Sequence, residues 1–240
     1  MTAVVLDRVW AAHRAKGQRV PILNGASLEI PSGRAIALLG RNGAGKSSLM
    51  RLIAGAMQAE SGQIHRYGRI SWPVGHAGSF HGDLTGAQNV RFVARAYGID
   101  ASALVDFVTR FSELGALMRL PFRGYSSGMR ARLAFATSMG VPFDTYLVDE
   151  VTSVGDAAFR ARSEAMLRDR LSRAGAIIVS HALEHLEQLC SAGIVIENGT
   201  LTWHDTVRDA INHHRAVMGI LPPAAASARP ALHPVPDPAA

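Results

Sequence analysis

No stretch constrains this chain more than Gly40-Arg41-Asn42-Gly43-Ala44-Gly45-Lys46-Ser47. It follows the apolar run Ala35-Ile36-Ala37-Leu38-Leu39 and leads into Ser48-Leu49-Met50-Arg51-Leu52-Ile53-Ala54, which is the order of a strand, a tight glycine loop and a helix. Glycines let successive backbone N–H groups turn inward around a phosphate, and the helix that follows points its partly positive N-terminus at the same anion. A lysine closing such a loop reaches the β- and γ-phosphates, and the hydroxyl after it meets Mg²⁺. Lys46 and Ser47 stand at those positions, and the only other lysine is Lys16. Everywhere else the chain uses arginine, so the compact ammonium at Lys46 reads as a requirement of the site. The match predicts a bound nucleoside triphosphate rather than a glycine turn that merely caps a helix.

At 240 residues and 48% hydrophobic content, the chain can bury a core as one domain, or as one domain with a small subdomain. Its longest apolar runs, 35–39 and 176–179, are far shorter than the roughly 20 residues that cross a bilayer, and the first residues lack a basic leader; both predict a cytoplasmic chain. One cysteine, Cys190, fits a reducing compartment, and on the apolar helix expected around it reads as a buried small residue rather than a nucleophile. The net charge is +6, but the arginines are scattered along helices without interleaved aromatics, which argues against a nucleic-acid groove.

Residues 1–39 alternate short apolar segments with turns and predict a small antiparallel sheet ahead of the nucleotide core. His13 or Trp10 on that sheet could stack on an adenine base, and an ordinary packing role fits each as well. Strands are expected near 62–64 and 69–72. The loop from Pro73 to Leu84 carries His76 and His81, two imidazoles without a third ligand at metal spacing. Thr85-Gly86-Ala87-Gln88 has capping-box spacing and opens a helix, and the apolar pattern of 99–120 is mainly helical. The segment Gly124-Tyr125-Ser126-Ser127-Gly128-Met129-Arg130 precedes another helix, Ala131 to Met139, as a small-residue start whose N-terminus could meet an anion.

The strand Thr145-Tyr146-Leu147-Val148 ends in Asp149-Glu150, at the edge where open α/β sheets bind ligands. Asp149 can hold the water shell of Mg²⁺, and Glu150 can polarise an attacking water. A further strand, Ala176 to Val179, brings His181 to the same edge. An Asn198-Gly199 hairpin, a helix over 206–218 and a Pro/Ala tail from Leu221 close the chain, the tail being too poor in packing residues to order itself.

With these pieces in line, residues 1–218 resemble the ATP-binding subunit of ABC transporters, through the phosphate loop, Tyr125-Ser126-Ser127-Gly128-Met129, Asp149-Glu150, Ser153-Val154-Gly155-Asp156 and His181. The resemblance is closest to the subunits that export capsular polysaccharide in Gram-negative bacteria, through Ile70-Ser71-Trp72-Pro73-Val74-Gly75, Leu84-Thr85-Gly86 with Asn89-Val90, and Asp149-Glu150-Val151-Thr152. It implies an α/β P-loop NTPase core with an N-terminal antiparallel β-subdomain and a helical subdomain at about 85–140, one ATP-binding domain over 1–220, and a disordered tail over 221–240.

It also implies roles. Gly40, Asn42, Gly43, Gly45, Lys46, Ser47 and Ser48 would hold ATP, with His13 in the adenine-stacking position. Ser126, Ser127 and Gly128 would close on the nucleotide of a second copy, and Asp156 would cross that dimer interface. Ser47 and Asp149 would hold Mg²⁺, the latter through water, with Glu150 acting on the attacking water and His181 near the γ-phosphate. The implied partners are a second copy of the chain and a separate integral membrane permease, received at 80–90, with no nucleic acid. The implied place is the cytoplasmic face of the inner membrane, as a peripheral subunit powering export of a capsular or similar lipid-linked polysaccharide. An O-antigen, teichoic acid or haem exporter, and a soluble ABC ATPase, are the alternatives. Two departures stand out: Ser127 and Met129 replace a glycine and a glutamine of the usual signature, and His76 or His81 occupies the region of a metal-sensing glutamine.

Overall fold

The computed structural model describes residues 1–15, 18–76, 80–149 and 156–220, with the backbone of 229–230. Two sheets organise these residues. Strands β1 (Thr2–Ala15), β2 (Gln18–Pro31) and β4 (Ser61–Arg66) form an antiparallel sheet in the order β2-β1-β4. The second sheet has seven strands. Its parallel part comprises β3 (Ala35–Leu39), β5 (Ile70–Pro73), β6 (Thr145–Asp149), β7 (Gly175–Val179) and β8 (Ala192–Glu197). With β9 (Thr200–His204) and β10 (Arg229–Pro230) the order is β10-β9-β8-β3-β7-β6-β5, the last two additions antiparallel.

The central strands are short apolar runs because both faces are covered. Alternation in β3 shows this directly. Ile36 and Leu38 pack with the antiparallel sheet and helix α1 (Lys46–Ile53), whereas Ala37 and Leu39 pack on the opposite, helical side. That side carries α2 (Gly86–Ala96), α3 (Ala101–Ser112), α4 (Ser127–Gly140), α5 (Ala157–Leu171), α6 (Leu183–Leu189) and α7 (Val207–Val217). Helix α2 starts where expected: the Thr85 hydroxyl accepts from the Gln88 amide at 3.2 Å, and the Gln88 side chain accepts from the Thr85 amide at 2.8 Å. Helix α4 starts four residues before Ala131, the start that its apolar pattern suggested, because Ser126 caps it by accepting from the Met129 amide.

The N-terminal residues depart from expectation. Several short strands were read there, yet β1 and β2 are single strands of 14 residues each. The alternation is broken by bulges, at one of which Arg8 takes φ 46° while its amide donates to the Ser27 hydroxyl at 2.9 Å. The two sheets meet where the Asn198-Gly199 turn docks on β2: the Asn24 amide donates to the Gly199 carbonyl at 2.9 Å, and its side chain donates to the Asn198 carbonyl at 3.1 Å. Cys190 lies just past the end of α6 rather than within a helix, and its burial pushes the thiol up to about 12. Of the tail, only Arg229–Pro230 falls within the described residues, paired with Thr202 and Trp203.

Candidate nucleotide site at the carboxyl edge of the parallel sheet

Strands β3, β7 and β6 are consecutive neighbours, so their carboxyl ends share one edge. Leu39 runs into the phosphate loop there, and Asp149 pairs in register with Val179 on β7, two residues before His181. The loop needs its glycines for space and for conformation. A Cβ on Gly40 would stand 2.6 Å from the Ile196 carbonyl oxygen, and Gly45 sits at φ 105° with Ile22 Cγ2 2.8 Å from where its Cβ would be. Gly45 is also the N-cap of α1 and offers no side-chain cap, so the positive end of the helix faces the loop.

Side chains of the loop are tied to their surroundings. Lys46 Nζ donates to the carbonyls of Gly40 at 2.8 Å and Arg41 at 3.1 Å, folding the ammonium across the loop. The Ser47 hydroxyl donates to Asp149 Oδ2 at 3.0 Å. His13 Nε2 and the Ser48 hydroxyl are 2.7 Å apart, and Ser48 is buried. Asn42 and Gly43 are exposed at the tip. Helix α7 packs nearby, where burial first and the charge of Lys46 second push His214 below its ordinary value.

These groups fit the expected ligands. Glycines whose Cβ would collide, a helix start without a side-chain cap and an ammonium suit a polyphosphate, and a hydroxyl beside a carboxylate gives the hard oxygen donors that Mg²⁺ takes. Of the two stacking candidates, the structure brings only His13 to the loop. Trp10 lies against Gly25 instead and lines a depression with Asp7, Arg8, Ser61, Gly62 and Gln63.

The other sequence candidates are distributed differently. Glu150, and the residues 153–155 that precede Asp156, lie outside the described residues. His181 is exposed beyond β7. Ser126, Ser127 and Gly128 are exposed at the start of α4, and open space stands where a Gly128 Cβ would be. Asp156 caps α5, accepting from the Phe159 amide at 2.9 Å, and pairs with Arg132 at 2.6 Å. His76 is exposed. His81 is held in a turn by the buried Asn89, which accepts from the His81 amide at 2.8 Å and donates to its carbonyl at 3.1 Å.

Sequence reasoning missed Arg132, which lies 24 residues from its partner, and missed a histidine pair 2.9 Å apart, His204 at the end of β9 and His213 within α7. Among the described residues no group of three or more His, Cys, Asp or Glu could hold a metal ion, and no helix is long and apolar enough to cross a membrane.

Comparison with known proteins adds to this geometry. Residues 23–153 match the family model described as ABC transporter. The chain is 40% identical over 215 residues to the polysialic acid transport ATP-binding protein KpsT of Escherichia coli, covering 88% of this chain and 96% of that protein. It is 40% identical over 196 residues to the capsule polysaccharide export ATP-binding protein CtrD of Neisseria meningitidis serogroup B, covering 82% and 91%. Among solved structures, a dimeric post-hydrolysis ATP-binding cassette bound to ADP and Pi is similar with a TM-score of 0.69 and 16% identity, over 85% of this chain and 99% of that one.

Proposed function

We infer that this chain, which belongs to the ABC transporter family, hydrolyses ATP to power export of a capsular or similar lipid-linked polysaccharide through a separate membrane subunit. The observation that carries the ATPase reading is the Ser47 hydroxyl 3.0 Å from the Asp149 carboxylate, at the start of the helix that follows the glycine loop. Ser47 would hold a Mg²⁺ ion directly and Asp149 would hold it through water, and the ion would supply positive charge against the charge that develops on the transferred phosphoryl group. Lys46 would exchange its carbonyl partners for phosphate oxygens. Glu150 would take the proton of the attacking water, and His181, two residues past the strand that pairs with Asp149, would approach the γ-phosphate.

The domain is read as residues 1–220, with helices 85–140 as its subdomain. The open start of α4 supports a sandwich of two chains, in which Ser126, Ser127 and Gly128 of one close on the ATP held by the other. The polysaccharide substrate is supported by the two transport relatives, and the residues 80–90 are the proposed seat of the permease, holding the subunit peripherally at the inner membrane.

The test is a strain whose own copy of this gene is replaced by the Glu150→Gln form. Lipid-linked polymer is expected to accumulate inside the cell while the surface polymer is lost, and the chemistry of the trapped polymer separates capsule from O-antigen export. Unchanged surface polysaccharide would overturn the transport reading.

A further inference from the structure

Three non-glycine residues take positive φ among the described residues, and two have ordinary reasons: Glu113 ends α3, and Asn198 makes the hairpin turn between β8 and β9. Arg8, at φ 46°, lies inside strand β1 instead. Between Asp7, paired with Gln63, and Trp10, paired with Ser61, β1 has one residue more than β4, and the resulting bulge turns Arg8 out of the ladder. Its amide goes to the Ser27 hydroxyl on β2, and Gly62 opposite has no room for a Cβ, which would collide with the Arg8 carbonyl. An arginine held in a conformation it disfavours, by contacts from two neighbouring strands, marks a place where the direction of its side chain matters.

The bulge borders a depression of about 450 Å³ lined by Asp7, Arg8, Trp10, Ser61, Gly62 and Gln63, within the roughly 300–1,000 Å³ of small-ligand sites. Trp10 is 44% exposed, and three of its ring atoms would each lie 3.1 Å from a Cβ on Gly25, so the missing side chain lets the indole lie across the backbone there. Arg8 Nε pairs with Asp7 Oδ1 at 3.2 Å, and the Arg8 side chain is 82% exposed. Among the described residues, Arg8 Nη1 and Nη2, Asp7 Oδ2, Trp10 Nε1, the Ser61 hydroxyl and the Gln63 side-chain amide take no hydrogen bond. Donors and acceptors are thus gathered unengaged around one aromatic ring.

We propose that this depression binds a pyranose unit of the carbohydrate chain that the transporter exports; the source of the sugar rests on the function proposed above. A pyranose presents axial C–H groups that lie on an indole face, and hydroxyls that each donate and accept, so they bridge the guanidinium, carboxylate, hydroxyl and amide around it. A nucleotide fits poorly, because its phosphates would meet one guanidinium already shared with a carboxylate. Strand β4 is the outer strand in the order β2-β1-β4, and all of it but Ile64 is exposed. The depression is therefore open at the sheet edge, and a chain longer than one unit can run out of it.

The indole N–H resonances of the full chain, from Trp10, Trp72 and Trp203, read the site directly. The probe is a set of short oligosaccharides cut from the surface polysaccharide of the strain that carries this gene. Titration is expected to move the Trp10 resonance and leave those of Trp72 and Trp203 in place. Trp10→Ala should weaken binding about tenfold, measured by saturation transfer to the sugar, and Trp10→Phe, which keeps a flat ring, should stay within about threefold of the wild type. Arg8→Gly should lower affinity about fivefold without unfolding the strand, because glycine accepts the left-handed conformation. ATP affinity should be the same in all three variants.

Movement of all three indole resonances alike, or wild-type sugar affinity in both Trp10→Ala and Arg8→Gly, would place the sugar elsewhere and overturn the proposal. No shift of the Trp10 resonance at about 10 mM oligosaccharide would overturn it as well. The site and the export reading fail separately. A Glu150→Gln strain that loses its surface polymer, with no oligosaccharide bound by the chain, would sink the site and leave export standing. Sugar bound at Trp10 while that strain keeps its surface polymer would uphold the depression as a sugar site and overturn the export reading alone.

Discussion

At the phosphate loop, the polar side chains that a nucleotide would meet are already held by their own chain. Lys46 is folded onto two carbonyls, Ser47 onto Asp149 and Ser48 onto His13. At the start of α4 the arrangement is the reverse: Ser126 and Gly128 are exposed, the Ser126 hydroxyl spends itself capping its own helix, and nothing stands where a Gly128 Cβ would be. On the function proposed above, the first region is a finished cradle and the second is half of an interface. A nucleotide entering the cradle replaces intramolecular bonds one for one, whereas the α4 surface gains its contacts only when another surface arrives. Substitutions should therefore act on binding by the single chain in the first region and on turnover alone in the second.

The largest effects are expected in the cradle and at Glu150. Lys46→Ala removes the ammonium from the β- and γ-phosphates and should weaken ATP binding by the single chain by about a hundredfold, a charge-assisted contact being lost. Glu150→Gln should keep ATP affinity and cut turnover by about a thousandfold if Glu150 acts on the attacking water as proposed, since the cradle is intact. Equilibrium binding and steady-state phosphate release measure the two, and normal turnover in Glu150→Gln would remove that residue from the mechanism.

Next in size is Gly128→Asp at the open end. A Cβ there meets nothing within 4 Å among the described residues, so folding and single-chain ATP affinity should be preserved. Turnover should fall about a hundredfold, because a like charge would face the partner's triphosphate. If single-chain affinity falls as far as turnover, then α4 belongs to the same half-site as the loop, and the division drawn between the two regions fails.

A smaller effect is expected at His13. His13→Ala should weaken ATP binding by about fivefold if the ring stacks on adenine, and His13→Phe should restore it. If the bond to Ser48 is what matters, both variants should lose affinity alike, and a competition titration between them decides which contact completes the cradle.

The cradle was legible in the sequence because its positions are contiguous and each residue type follows from the anion it must surround. The parallel strands were legible as runs of four or five apolar residues, and the Asn198-Gly199 turn from its residue pair. The choice between Trp10 and His13 was not. Strand alternation assigns faces only while the register holds, and shifts between Val9 and Trp10 and between Ala11 and Ala12 each turn the following side chains over. Helix α5 was equally hidden: its buried stripe is Phe159, Ser163 and Leu167, with a serine in the middle. The Arg132–Asp156 pair depends on where α4 and α5 cross, which no local pattern encodes.

The smallest expected effect concerns pH, and it tells the two regions apart once more. Behind the phosphate loop, burial pushes His204 and His214 below the ordinary histidine value of about 6.5. The unfolded chain then binds more protons than the folded one as pH falls below 6.5, so stability is lost from that point downward, until the buried imidazoles are themselves protonated. At the α4–α5 junction stability is likewise lost as pH falls, but in a lower window. Arg162 holds Glu113, and the Phe159 amide and Arg132 hold Asp156, below the usual carboxylate range. Their contribution is fully present above about pH 4, where unfolded carboxyls are ionised, and disappears only as pH drops through the lowered folded values. Amide hydrogen exchange, corrected for its intrinsic pH dependence, should therefore show α7 losing protection between pH 6.5 and 5 while the first turn of α5 keeps its own. Replacing His204 and His214 by glutamine should flatten the first response and leave the second untouched. Simultaneous loss at both places would mean that the fold opens as one unit in acid, and that the histidines behind the cradle do not set where opening begins.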